Sequence, residues 1–138
     1  MAEVEFALLA NAAQVSSDQL LSMLGGGWDT AAVPEEAFPA SIVLSVVYRL
    51  SFDEEELGKT HNGEMAVEGG NGERLARVTF SMTPQATEEE LPPGWKHNVS
   101  MAVPVPVQFP GPGLYVVSIA LEGVPLKTIP LRIKAAGA

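Results

Sequence analysis

Apolar and polar residues alternate with a period of two along most of this chain, the pattern of strands with one buried face. The clearest run is Ser41 to Phe52. Ile42, Leu44, Val46, Tyr48, Leu50 and Phe52 point one way, and Ser41, Ser45, Arg49 and Ser51 point the other. Val43 and Val47 interrupt the polar side, so part of it is expected to be covered. Val4 to Ala10 places Val4, Phe6, Leu8 and Ala10 on one face. Gln19 to Leu24 is shorter and is expected to end at Gly25-Gly26-Gly27, because glycine gives a strand nothing to pack. Met65–Glu68 and Arg74–Met82 flank Gly69-Gly70-Asn71-Gly72, a cluster that tolerates positive φ and predicts a hairpin. In the second of these strands Ala76, Val78, Phe80 and Met82 face inward.

Asn98 to Phe109 is the most informative stretch. Val99, Met101, Val103, Val105 and Val107 share one face, while Pro104 and Pro106 lie on the other. Residues two apart aim their N–H groups the same way across a sheet, so the two prolines remove two donors from one side. That predicts an edge strand whose open side is blunted. Pro110-Gly111-Pro112-Gly113 then turns the chain into Leu114–Leu121, with Tyr115, Val117, Ile119 and Leu121 inward. Glu122-Gly123 marks a turn into Leu126–Ile133, where Pro130 is a second edge signal. The simplest arrangement is a meander of these last three strands.

No segment sustains a helical period. Asp53–Leu57 and Thr87–Leu91 have helix-start character, an Asp or Thr followed three residues later by Glu, but are too short to be more than turns. About eight short strands punctuated by Gly and Pro predict an all-β protein. The expected architecture is a two-sheet antiparallel sandwich, immunoglobulin-like or a related Greek key. At 138 residues it is expected to be a single sandwich domain over residues 1–138.

Composition bounds the function more than it identifies it. The absence of cysteine removes disulfides, thiolate metal sites and Cys nucleophiles, and fits a cytoplasmic location. The net charge of −9 is uneven: residues 1–58 hold ten acids and one base, Arg49, whereas residues 59–138 hold seven of each. Without clustered Lys/Arg the chain has no footprint for a phosphate backbone or an anionic membrane, so neither nucleic acid nor membrane is an expected partner. The acidity serves solubility. Glu3 and Glu5 stand where a secretion signal would be positive, and no apolar run is long enough to span a bilayer.

Candidate chemistry is sparse. His61 and His97 have no second His at metal-ligand spacing, and a hydrogen-bonded or solvated ring is the expected state of each. The acid runs Asp53–Glu56 and Glu88–Glu90 lack the spaced, glycine-interrupted ligands of a calcium loop. Gly25-Gly26-Gly27 lacks the Gly-Lys-Ser/Thr of a phosphate loop, and no Gly-x-Ser-x-Gly elbow is present. No catalytic residue, metal or cofactor is expected. The tryptophans stand out instead. Gly27-Trp28-Asp29 and Gly94-Trp95-Lys96 each put a large aromatic in a glycine-flanked loop, either capping an end of the sandwich or anchoring a partner or a sugar ring. The longest loop, Thr83 to His97, carries Trp95, Lys96 and Leu91-Pro92-Pro93-Gly94, and a binding surface is expected there.

The opening Val4-Glu5-Phe6-Ala7-Leu8-Leu9-Ala10-Asn11-Ala12-Ala13 resembles that of a family of small bacterial and phage-associated proteins known only as a domain of unknown function. Leu57-Gly58, Leu91-Pro92-Pro93-Gly94, Pro112-Gly113-Leu114-Tyr115, Leu121-Glu122-Gly123 and Ile129-Pro130-Leu131-Arg132-Ile133 fit it too. The resemblance implies a β-sandwich and no known activity, and the glycines before Trp28 depart from it. The expected function is a non-enzymatic interaction or structural module with Trp28, Trp95 and Lys96 as its surface, its partner another protein or a second copy in a homo-oligomer. The alternatives are a small-ligand module for carbohydrate using the tryptophans and, last, a hydrolase or metal enzyme.

Overall fold

A computed structural model describes residues 2–87 and 89–136. Nine strands form two sheets: β1 (Glu3–Val15), β2 (Leu21–Trp28), β3 (Thr30–Pro34), β4 (Ala40–Phe52), β5 (His61–Gly69), β6 (Arg74–Met82), β7 (His97–Phe109), β8 (Gly113–Leu121) and β9 (Val124–Ala136). One sheet has the order β2-β1-β4-β7 and the other β3-β9-β8-β5-β6. The only helical pieces among the described residues are two 3₁₀ turns, Glu35–Ala37 and Glu54–Glu56.

The core lies between the sheets. Leu44, Val46, Tyr48, Leu50 and Phe52 of β4 are buried in one cluster with Met65, Val67, Val117, Ile119, Leu131 and Ile133 of the facing sheet. These are the positions that the alternation assigns to the inner face, and each such side chain contributes about 1.5–3 kcal/mol by leaving water.

β7 is an edge, as its prolines require. It pairs along its length with β4, Ser45 opposite Pro104 and Val43 opposite Pro106, and no strand among the described residues pairs with its other side. The expected meander does not form, because β7 and β8 belong to different sheets. Pro110 and Pro112 lack the N–H groups that a tight hairpin ladder uses, so the chain crosses over instead. The crossing is fixed by the Tyr115 hydroxyl, which donates to the Gly111 carbonyl at 2.6 Å, a tyrosine corner of the immunoglobulin-like kind.

β9 is not an edge. β3, a strand the periodicity did not predict, pairs with it in parallel from Thr30 opposite Arg132 to Pro34 opposite Ala136, so the sandwich is not wholly antiparallel. Pro130 is tolerated because of where β3 begins. The Arg132 N–H donates to the Asp29 carbonyl at 2.8 Å, and the missing donor of Pro130, two residues earlier, aims past that end.

Two bulges change the expected faces and ends. Val4 opposes Leu50 and Phe6 opposes Arg49, which leaves Glu5 as an extra residue in β1. Beyond it the pleat is reversed: Ala7 and Leu9 pack on the core, while Phe6, Leu8 and Ala10 face outward. β2 runs through the glycines rather than ending at them. Leu9 opposes Trp28 and Ala10 opposes Gly26, so Gly27, with φ of 89°, is the bulged residue, a conformation that glycine adopts without steric cost. Asp29 alone then links β2 to β3, and one edge of each sheet is formed by nearly continuous chain.

The β1–β2 hairpin returns over the outer side of the four-stranded sheet. Gln19, in its turn, accepts a hydrogen bond from the Ser100 N–H on the open side of β7 at 3.0 Å. β1 also touches β7, although β4 lies between them in the sheet. Outward-facing Val47 and Ala10 are accordingly buried.

Candidate functional site

The loop 83–97 leaves β6, runs along one end of the sandwich and enters β7. With the turn after β4 it forms a cleft lined by Asp53, Glu54, Glu90, Pro92, Trp95 and Lys96. Glu88, the first acid of its run, lies outside the described residues. The loop is tied at both ends. Near its start the Gly58 N–H donates to the Pro84 carbonyl at 2.8 Å, and the Thr60 and Thr83 hydroxyls meet at 2.9 Å. Near its finish the Trp95 N–H donates to the Pro92 carbonyl at 3.1 Å, with Gly94 at positive φ between them. That turn lifts the indole out of the sandwich, and Trp95 is 67% exposed.

Lys96 anchors the loop to the end of β4 by donating from Nζ to an Asp53 carboxylate oxygen. The ammonium holds the Asp53 carboxyl down at about 2, and the carboxylate in turn raises Lys96. Asp53 is fixed from behind. Its N–H donates to Glu56 Oε1 at 2.9 Å in the capping box of the 3₁₀ turn, the Asp-x-x-Glu signal of the sequence realised in its shortest form. On the cleft wall His97 begins β7 opposite Phe52, and its Nδ1 is buried with no partner among the described residues.

The structure does not gather the three expected residues on one surface. Trp95 and Lys96 share the cleft, whereas Trp28 ends β2 opposite Leu9 and packs, partly buried, against the core. Its Nε1 is buried without an acceptor among the described residues. Trp28 is thus in the position of a capping residue, and the loop expected around it is strand.

His61 is buried at the start of β5 and held from both sides. Its Nδ1 lies 2.5 Å from Glu122 Oε1 and its Nε2 lies 2.9 Å from the Glu56 carbonyl oxygen, both at hydrogen-bond distance. Its ring centroid lies 5.2 Å from that of Phe52. Both ring nitrogens are used in joining three elements, as the hydrogen-bonded reading expects. Among the described residues no three His, Cys, Asp or Glu side chains converge as metal ligands. Sequence reasoning did not find Glu122 or Asp53 as partners. Each lies more than forty residues from the side chain it holds, and only the topology brings them together.

The model of a family of unknown function, DUF6941, matches residues 5–134. No curated protein matches the chain in sequence. The fold is similar to part of a glycosyl hydrolase family 2 member from Bacteroides cellulosilyticus DSM 14838, with a TM-score of 0.55 and 12% identity over 96% of this chain and 15% of that one. It is also similar to a bacterial adhesin from Mobiluncus mulieris containing intramolecular disulfide, isopeptide and ester bond cross-links. One crystal form gives a TM-score of 0.50 at 14% identity, covering 94% of this chain and 49% of that one. A second gives 0.50 at 12%, covering 96% and 57%. At these identities the likeness is one of fold. No described helix is long and apolar enough to cross a membrane.

Proposed function

The chain belongs to this family of unknown function, and we propose from its own geometry that it is a non-enzymatic interaction module that binds a protein segment in the Trp95 cleft. The observation that carries the reading is an exposed indole on a loop that is nevertheless pinned, by Lys96 to Asp53 and by the ties to Gly58 and Thr60. An aromatic presented at low entropy cost is what a binding anchor needs. The carboxylates of Glu54 and Glu90 border the same cleft. An indole face beside carboxylates suits a Lys or Arg side chain, through cation–π attraction and charge.

The test uses a Trp28→Phe background, so that fluorescence reports Trp95 alone, titrated with basic, neutral and acidic peptides and with a panel of oligosaccharides. Saturable, salt-sensitive quenching by basic peptides, lost on Lys96→Ala or Glu54→Gln, is the expected outcome. A flat response to every peptide overturns the reading. Salt-insensitive quenching by an oligosaccharide instead favours the carbohydrate-binding alternative, in which the exposed indole stacks on a sugar ring.

A further inference from the structure

A second surface lies on the outer face of the five-stranded sheet. Leu114 faces Arg132 across β8 and β9, and Val116 faces Pro130 two pairs further on. Leu114 is 69% and Val116 40% exposed, on the central strand of the five-stranded sheet. The charges beside this patch divide in two. Arg74 and Arg77 of β6 are ion-paired with Glu64 at 3.2 and 2.9 Å. Arg132 and Lys134 of β9 are exposed and have no carboxylate partner among the described residues. The patch is therefore apolar, with the unpaired Arg132 and Lys134 on its β9 side, Asp29 in the groove beside Arg132, and Glu68, held by Arg74, opposite Val116.

The chain carries a surface of the opposite kind on its other side. The β1–β2 hairpin displays Leu20, 64% exposed, and Leu24, 73% exposed. Asp18 stands in its turn and accepts from the Ser16 hydroxyl at 2.6 Å, its side-chain partner among the described residues. Asp18 forms no ion pair with a Lys or Arg among the described residues. One surface is apolar with Arg132 and Lys134 on its β9 side and the other apolar with an acidic tip. They lie on opposite outer faces of the sandwich, so a chain cannot join its own two surfaces.

We propose that the outer face of β8 and β9 is the docking site for the β1–β2 hairpin of a second copy of this chain. Leu20 and Leu24 seat on Leu114 and Val116, and Asp18 approaches Arg132 and Lys134. The contact joins two different patches, so it is heterologous, and each added copy presents a fresh surface at either end. Such contacts build rings where the rotation closes and filaments where it does not. The Trp95 cleft takes no part, so either proposal can fail alone.

The experiment is molar mass by size-exclusion chromatography with light scattering, at low and high concentration, for wild type, Leu114→Glu, Leu24→Glu and an equimolar mixture of the two variants. Wild type is expected to grow beyond a dimer with concentration. Each variant alone is expected to stay at 14.6 kDa. The mixture is expected to reach twice that mass and stop there, because it holds one intact copy of each surface. A wild type that stays monomeric at the high concentration overturns the proposal. So does either variant assembling as wild type does, or a mixture that stays monomeric. A thermal unfolding scan of each variant confirms that it is folded, and Ser replaces Glu in any variant that is not.

Discussion

His61 shows how one side chain can hold an end of the sandwich. Its two ring nitrogens bind a side chain from the β8–β9 turn and a carbonyl from the 3₁₀ turn after β4, while its ring lies beside Phe52. Leucine would keep much of the volume and neither hydrogen bond. Glu122 is half-exposed and can be solvated, so the main cost falls on the Glu56 carbonyl and on the lost coupling between the turns. His61→Leu is expected to lower stability by about 1–3 kcal/mol, the cost of orphaning buried polar groups, as read from the midpoint of urea unfolding with an unchanged slope. A change within error would mean that the two turns are held without it. The sequence made a hydrogen-bonded histidine legible, because an isolated His has no ligand set around it. Glu122 was legible only as half of a turn, since no local pattern reports a partner sixty-one residues away.

The elements divide into those whose rules are local and those whose rules are not. The β7 edge was legible from Pro104 and Pro106 alone, because a missing N–H is a property of the residue. The absence of β3 from the sequence reading has an equally plain cause. Thr30-Ala31-Ala32-Val33-Pro34 is short and weakly alternating, and it is a strand only because the Gly27 bulge delivers it to β9. The reversed faces of β1 follow from one extra residue, Glu5, that no period-two count can anticipate. Replacing both Pro104 and Pro106 by Thr would restore two donors on the side of β7 that Gln19 already caps at Ser100. The expected result is a folded protein that aggregates faster on mild heating, followed by light scattering and thioflavin fluorescence. Unchanged kinetics would show that the hairpin shields this edge by itself.

The tie between the loop 83–97 and the end of β4 depends on pH. An unperturbed Asp titrates near about 3.9, and Lys96 holds Asp53 at about 2. A carboxyl lowered in the folded state stabilises the fold above its unfolded value and loses that contribution as pH falls through the folded one. The Asp53–Lys96 tie is therefore complete above about pH 4 and released progressively toward pH 2. Trp95 fluorescence in the Trp28→Phe background is expected to shift over that window while far-UV dichroism holds. Lys96→Met should give the released spectrum already at neutral pH. Coincident loss of both signals in acid would mean that the loop has no independent opening.

Across the whole molecule the two faces of each sheet have different tasks, and one residue type can separate them. Leu131 of β9 is buried against β4, whereas Leu114 of β8 stands in solvent on the other side of the same sheet. Leu131→Ala should cost about 2–5 kcal/mol, the transfer term plus a cavity between two sheets that cannot collapse. Leu114→Ala should change monomer stability by no more than about 0.5 kcal/mol. Denaturant unfolding at low concentration, where self-association is weakest, reads both. Equal costs would place Leu114 in a packed environment within one chain and leave no free outer face for a partner. The expected disparity, about fourfold or greater, would mean that Leu114 contributes little to holding one sandwich together. An exposed leucine that a chain does not need for its own fold is then available to a contact between chains.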